Sequence, residues 1–311
     1  MKALLKYFLS SKPKPTFLNV DLLALCLTQR CNALCKHCQC GDAKDYDMSI
    51  EIMRKVFDEV KFVRDFVLKG GELMLAPEKL EELYSVLVEK NVKVEYFSIA
   101  TNAIFNDDNE IHDVERYLEA LGKLRDYSKV KDHRPMFVSF DKFHRSEGER
   151  ILGAERYQEN VARLSSHPLF CDFQLEADVF LMHEGRAKNL SCNDTLIIDS
   201  GEVLGQDLYI PYGCRNDCNF SRVTRLLVGA HGNITRDKEY ELQQRDSLGR
   251  VSAGEKINDI LLRSPSVIKC RNFDEWNEHT SQHNTKMGLM KIAASAWKLG
   301  IPQDRIWEVF K

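Results

Sequence analysis

The 311-residue chain has no apolar run approaching the roughly 20 residues of a membrane helix, which argues against a helical span. It has no strong charge of one sign. Against 44 Lys and Arg stand 47 Asp and Glu, a net charge of -3, so nothing points to nucleic acid or an anionic membrane. Low-complexity tracts and internal repeats are missing. A secretory leader is missing too: Met1 to Leu9 is apolar but is broken by Lys6 and is too short for a signal core. Residues 1–17 are expected to form a short amphipathic lead docked on the body. At 43% hydrophobic and 29% charged, the composition is that of a globular protein of one large domain, with room for a smaller appendage.

Cysteine, by contrast, is plentiful at ten residues. A disulfide framework belongs to short secreted chains, and this chain is neither. Reduced thiols and a cytoplasmic location are the expectation.

The first half alternates between two periods. Leu22 to Leu27 is a continuous apolar run, as in a strand buried on both faces. Ser49 can cap a helix that puts Met53, Val56, Phe57 and Val60 on one face. Further strands are predicted at 65–68, 92–100, 136–140 and 173–182. Further helices follow Pro77, run through Ile111 to Leu121, and run through Ala154 to Leu164. Strand–helix alternation implies a parallel sheet with right-handed crossovers. The predicted fold is α/β, a partial (β/α)6 TIM-like barrel over residues 18–189, too short for eight units. Beyond Asn189 the pattern changes to hairpins at 195–203 and 226–235 and a helical tail through Leu289 and Ile292. Residues 190–311 are therefore expected to form a small α+β extension, with its cysteines a possible second-cluster domain.

The chemistry-bearing phrases fall at the ends of the predicted strands, where barrel enzymes carry their sites. Cys31, Cys35 and Cys38 follow the first strand with C-x3-C-x2-C spacing. Three thiolates on one loop can hold three irons of a cubane and leave the fourth iron open to a small molecule. With His37 or Cys40 as fourth ligand the same loop could instead hold zinc. Gly70-Gly71-Glu72 ends the second strand, where glycines let the backbone approach a ligand and a carboxylate can pair with an ammonium. Thr101-Asn102-Ala103 ends the third, and Ser139-Phe140-Asp141-Lys142-Phe143-His144 ends the fourth. The fifth carries Gln174, Glu176 and Asp178 on one face by alternation, which places acidic groups in a barrel interior or turns them outward. Glu184-Gly185-Arg186-Ala187 follows.

This order of phrases over residues 20 to 190 resembles the radical S-adenosylmethionine (radical SAM) enzymes. The resemblance implies a 4Fe-4S cluster on Cys31, Cys35 and Cys38. It implies SAM contacts from Gly70, Gly71, Glu72, Thr101, Asn102, Ser139 and Asp141; Glu176, from its place on the fifth strand, is expected to contact SAM or substrate. It implies a flavodoxin- or ferredoxin-type electron donor, and reductive cleavage of SAM to a 5'-deoxyadenosyl radical that abstracts hydrogen from a substrate. Two departures stand out: Leu73 where the family usually has proline, and Ala103 where it has glycine. The phrase with His144 is similar to that of peptide epimerases, and Gly185-Arg186-Ala187 to the subset with cysteine-rich C-terminal regions.

Cys192, Cys214, Cys218 and Cys270 could ligate a second Fe-S cluster, or pack as small hydrophobes. The ligand expected after a hairpin is Gln206 here. Cys214 or Cys218 could instead donate a hydrogen atom to a substrate radical. The leading expectation is thus an enzyme that modifies a ribosomally made peptide by epimerisation or crosslinking, although no winged-helix peptide-recognition domain is found ahead of the barrel. A viperin-like enzyme acting on a nucleotide or other small metabolite is the alternative, and a zinc-stabilised binding module without activity is a third.

Overall fold

A computed structural model describes residues 16–38, 40–106, 108–174, 180–182, 185–190, 196–198, 207–213, 219–235, 247–265, 267–270, 274–275, 277–279 and 281. The chain opens with strand β1 (Thr16–Thr28), then helix α1 (Ile50–Glu59), β2 (Val60–Gly70), α2 (Pro77–Glu89), β3 (Lys93–Thr101), α3 (Asp108–Tyr127), β4 (Met136–Ser139), α4 (Lys142–Leu152), α5 (Ala154–Ser165) and β5 (Phe170–Gln174). Strands β1 to β5 pair in chain order, all in parallel. This is the α/β architecture the alternating periods predict, an open sheet compatible with a partial barrel.

Local chemistry explains the elements. The Ser49 hydroxyl accepts from the Ile52 amide and starts α1, whose Met53, Val56 and Phe57 are fully buried. Burying each such side chain contributes about 1.5–3 kcal/mol. Pro77 opens α2, where its missing N–H costs nothing. From Leu23 to Thr28 every residue of β1 is buried, as its apolar run requires. Phe66 of β2 bridges Phe57 of α1 and Phe97 of β3, with ring centroids 6.0 and 5.3 Å away.

One finding departs from the sequence reading. Helix α4 stands where only a loop is predicted. Its middle is polar and carries Gly148, but a Cβ there would lie 2.4 Å from the Tyr157 ring of α5. Gly148 is thus the price of close helix packing, and it hides the helix from periodicity. Of the predicted strand 173–182 the described residues give the end of β5, through Gln174, and β6 (Phe180–Met182), which pairs in parallel with β7 (Leu196–Ile198); residues 175–179 lie outside them. Strand β7 was expected in a hairpin whose second arm lies outside the described residues.

Beyond residue 189 come β8 (Asp207–Gly213), β9 (Asn219–Val228), β10 (Asn233–Thr235), β11 (Gly249–Arg250), α6 (Ile257–Arg263) and β12 (Val267–Lys269). The β9–β10 hairpin turns as predicted. Strand β9 also pairs in parallel with β1 from Thr16↔Asn219 to Leu25↔Val228, so the sheet continues across the expected boundary near Asn189. Glu59 at the end of α1 accepts from the Ile257 and Asn258 amides at 2.7 and 3.0 Å and caps α6. The lead 1–15 and the tail stripe at 289–296 lie outside the described residues.

Candidate active site

The Cys31–Cys38 loop leaves β1 at the carboxyl edge of the parallel strands. Cys35 is buried; Cys31 and Cys38 are half-buried, and none is in a disulfide. Several elements grip this loop. The Gly71 amide donates to the Thr28 carbonyl at 3.0 Å and the Glu72 amide to the Arg30 carbonyl at 2.7 Å. Asn32 Nδ2 donates to the Ile104 carbonyl at 2.6 Å, and Asn102 Nδ2 to Asn32 Oδ1 at 2.9 Å. The Leu34 amide donates to Glu147 Oε1 of α4 at 2.7 Å. Arg186 reaches the loop from the far end of the barrel region: its amide donates to the Cys38 carbonyl at 2.8 Å and its Nε to the Cys35 carbonyl at 3.0 Å.

The glycines of Gly70-Gly71-Glu72 also meet a close approach within the fold itself. A Cβ on Gly71 would sit 2.1 Å from the Arg30 carbonyl oxygen, and one on Gly70 2.9 Å from Thr28 Cγ2. What approaches these glycines is the cysteine loop's own backbone. Glu72, 1% exposed, joins the second and third strand ends. Its Oε1 accepts from the Thr101 hydroxyl and the Met74 amide, both at 3.0 Å, and its Oε2 from the Asn102 amide at 2.8 Å. Burial raises its pKa, and these donors oppose the rise. Oε2 retains acceptor capacity for one more donor. Ala103 adopts φ 59°, the left-handed region that favours glycine, which is the physical reason a glycine suits this position. Asn160 of α5 holds that turn, donating to the Ala103 and Phe105 carbonyls at 3.1 and 2.7 Å.

At the end of β4, Asp141 caps α4: Oδ1 accepts from the Phe143 and His144 amides at 2.9 and 3.0 Å. Its Oδ2 lies 2.6 Å from His144 Nδ1 and 3.7 Å from His37 Nε2. Burial works against ionisation of Asp141, but the His144 hydrogen bond and the charges of both histidines outweigh it, so its pKa falls below the ordinary value. His37, predicted only as a zinc ligand, packs parallel to Phe143 at 4.8 Å and edge-on to His144 at 4.5 Å. Burial pushes its pKa down to about 4, and its Nδ1 is buried without a partner. Ser139 donates to Gln174 Oε1 at 3.3 Å. Glu176, Asp178, Cys192, Cys214 and Cys218 lie outside the described residues. Cys270, directly after β12, is buried, and burial raises its thiol pKa.

Three thiols on one loop are a donor set that an iron–sulfur cubane accepts. Burial pushes the Cys31 thiol up to about 11, and Cys35 well above its usual value, so bare thiolates are disfavoured until a cation replaces the protons. Among the described residues, His37, Asp141 and His144 bring ligand atoms within 4.8 Å of one another. A cation at His37, Asp141 and His144 would have to displace the short Asp141–His144 hydrogen bond.

Asn32, Glu147 and Asn160 were not singled out from sequence. Asparagine and glutamate carry no signal of their own, and each acts on a backbone group brought near only by the fold.

No protein-family profile matches the sequence, and no curated protein matches it. Among solved structures the chain is similar to native anSMEcpe with bound AdoMet and Cp18Cys peptide, at 13% identity over 80% of this chain and 81% of that one, with a TM-score of 0.46. It is also similar to Streptococcus suis SuiB bound to S-adenosylmethionine, at 12% identity over 80% and 67% of the two chains, with a TM-score of 0.40.

Proposed function

We propose that this chain is a radical SAM enzyme whose cluster is held by Cys31, Cys35 and Cys38. The observation that carries the reading is the convergence on one loop: the ends of β2 and β3, helix α4 and Arg186 all hydrogen-bond to the segment bearing three buried or half-buried thiols. When bound, a 4Fe-4S cluster supplies the electron that cleaves SAM. The chain's own residues bind and orient. Gly70 and Gly71 let the loop seat against the second strand. Glu72 fixes Thr101 and Asn102, and the open acceptor site on its Oε2 suits an ammonium such as SAM's. Ser139, Asp141 and Glu176 are the further SAM contacts in this reading. His37 and Phe143 present stacked rings beside the loop, which suits a flat heteroaromatic ring.

The substrate in this reading is a ribosomally made peptide, and the reaction an epimerisation or crosslink. A second cluster on Cys192, Cys214, Cys218 and Cys270, or hydrogen donation by Cys214 or Cys218, belongs to the same proposal. Strand β8 ends just before Cys214 and β9 begins just after Cys218, while β12, which precedes Cys270, pairs with β8 in parallel. The test is SAM cleavage by anaerobically reconstituted protein. Stimulation by a peptide encoded beside the gene supports the proposal. Stimulation by a nucleotide, and none by peptide, overturns the peptide half and favours the small-metabolite reading.

A further inference from the structure

We infer that Arg186 is a positioning residue for the cysteine loop, one that locks the loop's second half and sets the reduction potential of the iron–sulfur group it holds. The potential half of this inference rests on the cluster reading above; the locking half does not.

The geometry is specific. Arg186 makes three contacts on one short stretch of chain: amide to the Cys38 carbonyl, Nε to the Cys35 carbonyl, and Nη1 to Asp42 Oδ1 at 3.0 Å. They fall before, at and after Cys38. Inside the loop itself, the Cys38 amide donates to the Cys35 carbonyl at 3.1 Å. The half of the loop with Cys31 is anchored by Asn32, Asn102 and Glu72; the half with Cys38 is held by Arg186, with Glu147 at Leu34 and the His37 stack on Phe143 beside it. Arg186 is itself held in the short 3-10 turn Gly185–Asn189, where neighbouring Ala187 is 1% exposed. The contact joins positions 151 residues apart, so it forms only when the barrel region is complete.

The charge matters as well as the grip. A guanidinium stays protonated, and here its Nε donates to a neutral carbonyl, that of Cys35. Its ion-pair partner Asp42 is 81% exposed, so water screens that pair. A positive charge therefore sits beside Cys35 and Cys38. A cation next to an iron–sulfur group favours the reduced form, which carries one more negative charge. A simple surface ion pair with Asp42 would have neither effect.

The experiment uses the full chain as wild type, Arg186→Lys, Arg186→Met and Asp42→Asn. Amide exchange of the 31–42 segment is followed in iron-free protein, and the midpoint potential by EPR in anaerobically reconstituted protein. Arg186→Met is expected to speed exchange around Cys38 about tenfold. It is also expected to lower the reduced-to-oxidised ratio at fixed potential about tenfold, equal to a 59 mV shift for one electron. Arg186→Lys, which keeps the charge and the main-chain bond to Cys38 but cannot span the Cys35 carbonyl and Asp42, is expected to speed exchange and leave the potential near wild type. Asp42→Asn is expected to change neither. Wild-type exchange in both Arg186 variants overturns the lock. A wild-type potential in Arg186→Met overturns the tuning. If Arg186→Met does not fold, Arg186→Lys decides the lock, and a potential far from wild type in Arg186→Lys overturns the tuning. A wild type that takes up no iron counts against the cluster reading alone, and the exchange experiment still decides the lock.

Discussion

Glu72 and Asn102 tie two strand ends together: Glu72 Oε2 accepts the Asn102 amide at 2.8 Å, and Asn102 Nδ2 in turn donates to Asn32 beside Cys31. The carboxylate thus braces the cysteine loop through a neighbour besides facing it. Glu72→Gln puts an amide donor among the Met74, Thr101 and Asn102 donors. The iron-free protein is expected to lose about 1–3 kcal/mol in urea unfolding. An unchanged midpoint would contradict the brace.

The two kinds of glycine predict opposite results. Gly71→Ala forces a methyl into the Arg30 carbonyl, so a loss of about 1–3 kcal/mol and poor iron uptake are expected. Gly122, inside α3, has open space where a Cβ would stand. Gly122→Ala is expected to gain about 0.5–1 kcal/mol with iron uptake unchanged. Urea unfolding and iron analysis of both variants check the pair; equal effects would contradict it.

His37 makes the iron-free protein sensitive to acid. The unfolded chain takes up this proton near 6.5 and the folded chain only near 4. The stability it supplies is complete above pH 6.5 and lost as pH falls toward 4, about 3 kcal/mol at the acid end. His37→Phe keeps the stack on Phe143 and removes the titration. Urea unfolding between pH 7 and 4 is expected to show a shallower slope for the variant; parallel slopes would contradict the assignment.

Much of this was legible in the sequence. Ser49, Pro77 and the Leu22–Leu27 run carry local signals that the fold obeys. So does the order of the cysteine, Gly-Gly-Glu, Thr-Asn and Ser-x-Asp phrases along the strand ends. What was not legible depends on contacts across the fold. Gly148 reads as a helix breaker because Tyr157 is invisible from its own segment. Strand β9 reads as part of a separate appendage because its parallel partner β1 lies some 200 residues earlier. The reason for Gly71 is hidden in the same way, since the atom that excludes a side chain belongs to Arg30.

The most direct measurement is iron content and low-temperature EPR of anaerobically reconstituted wild type beside the Cys31→Ala, Cys35→Ala, Cys38→Ala triple variant. The account predicts a reduced cluster signal in the wild type and a loss of about four irons in the variant. Whatever iron the variant keeps measures a second cluster on the C-terminal cysteines. Equal iron in both proteins, or zinc in place of iron at the loop, would contradict the account.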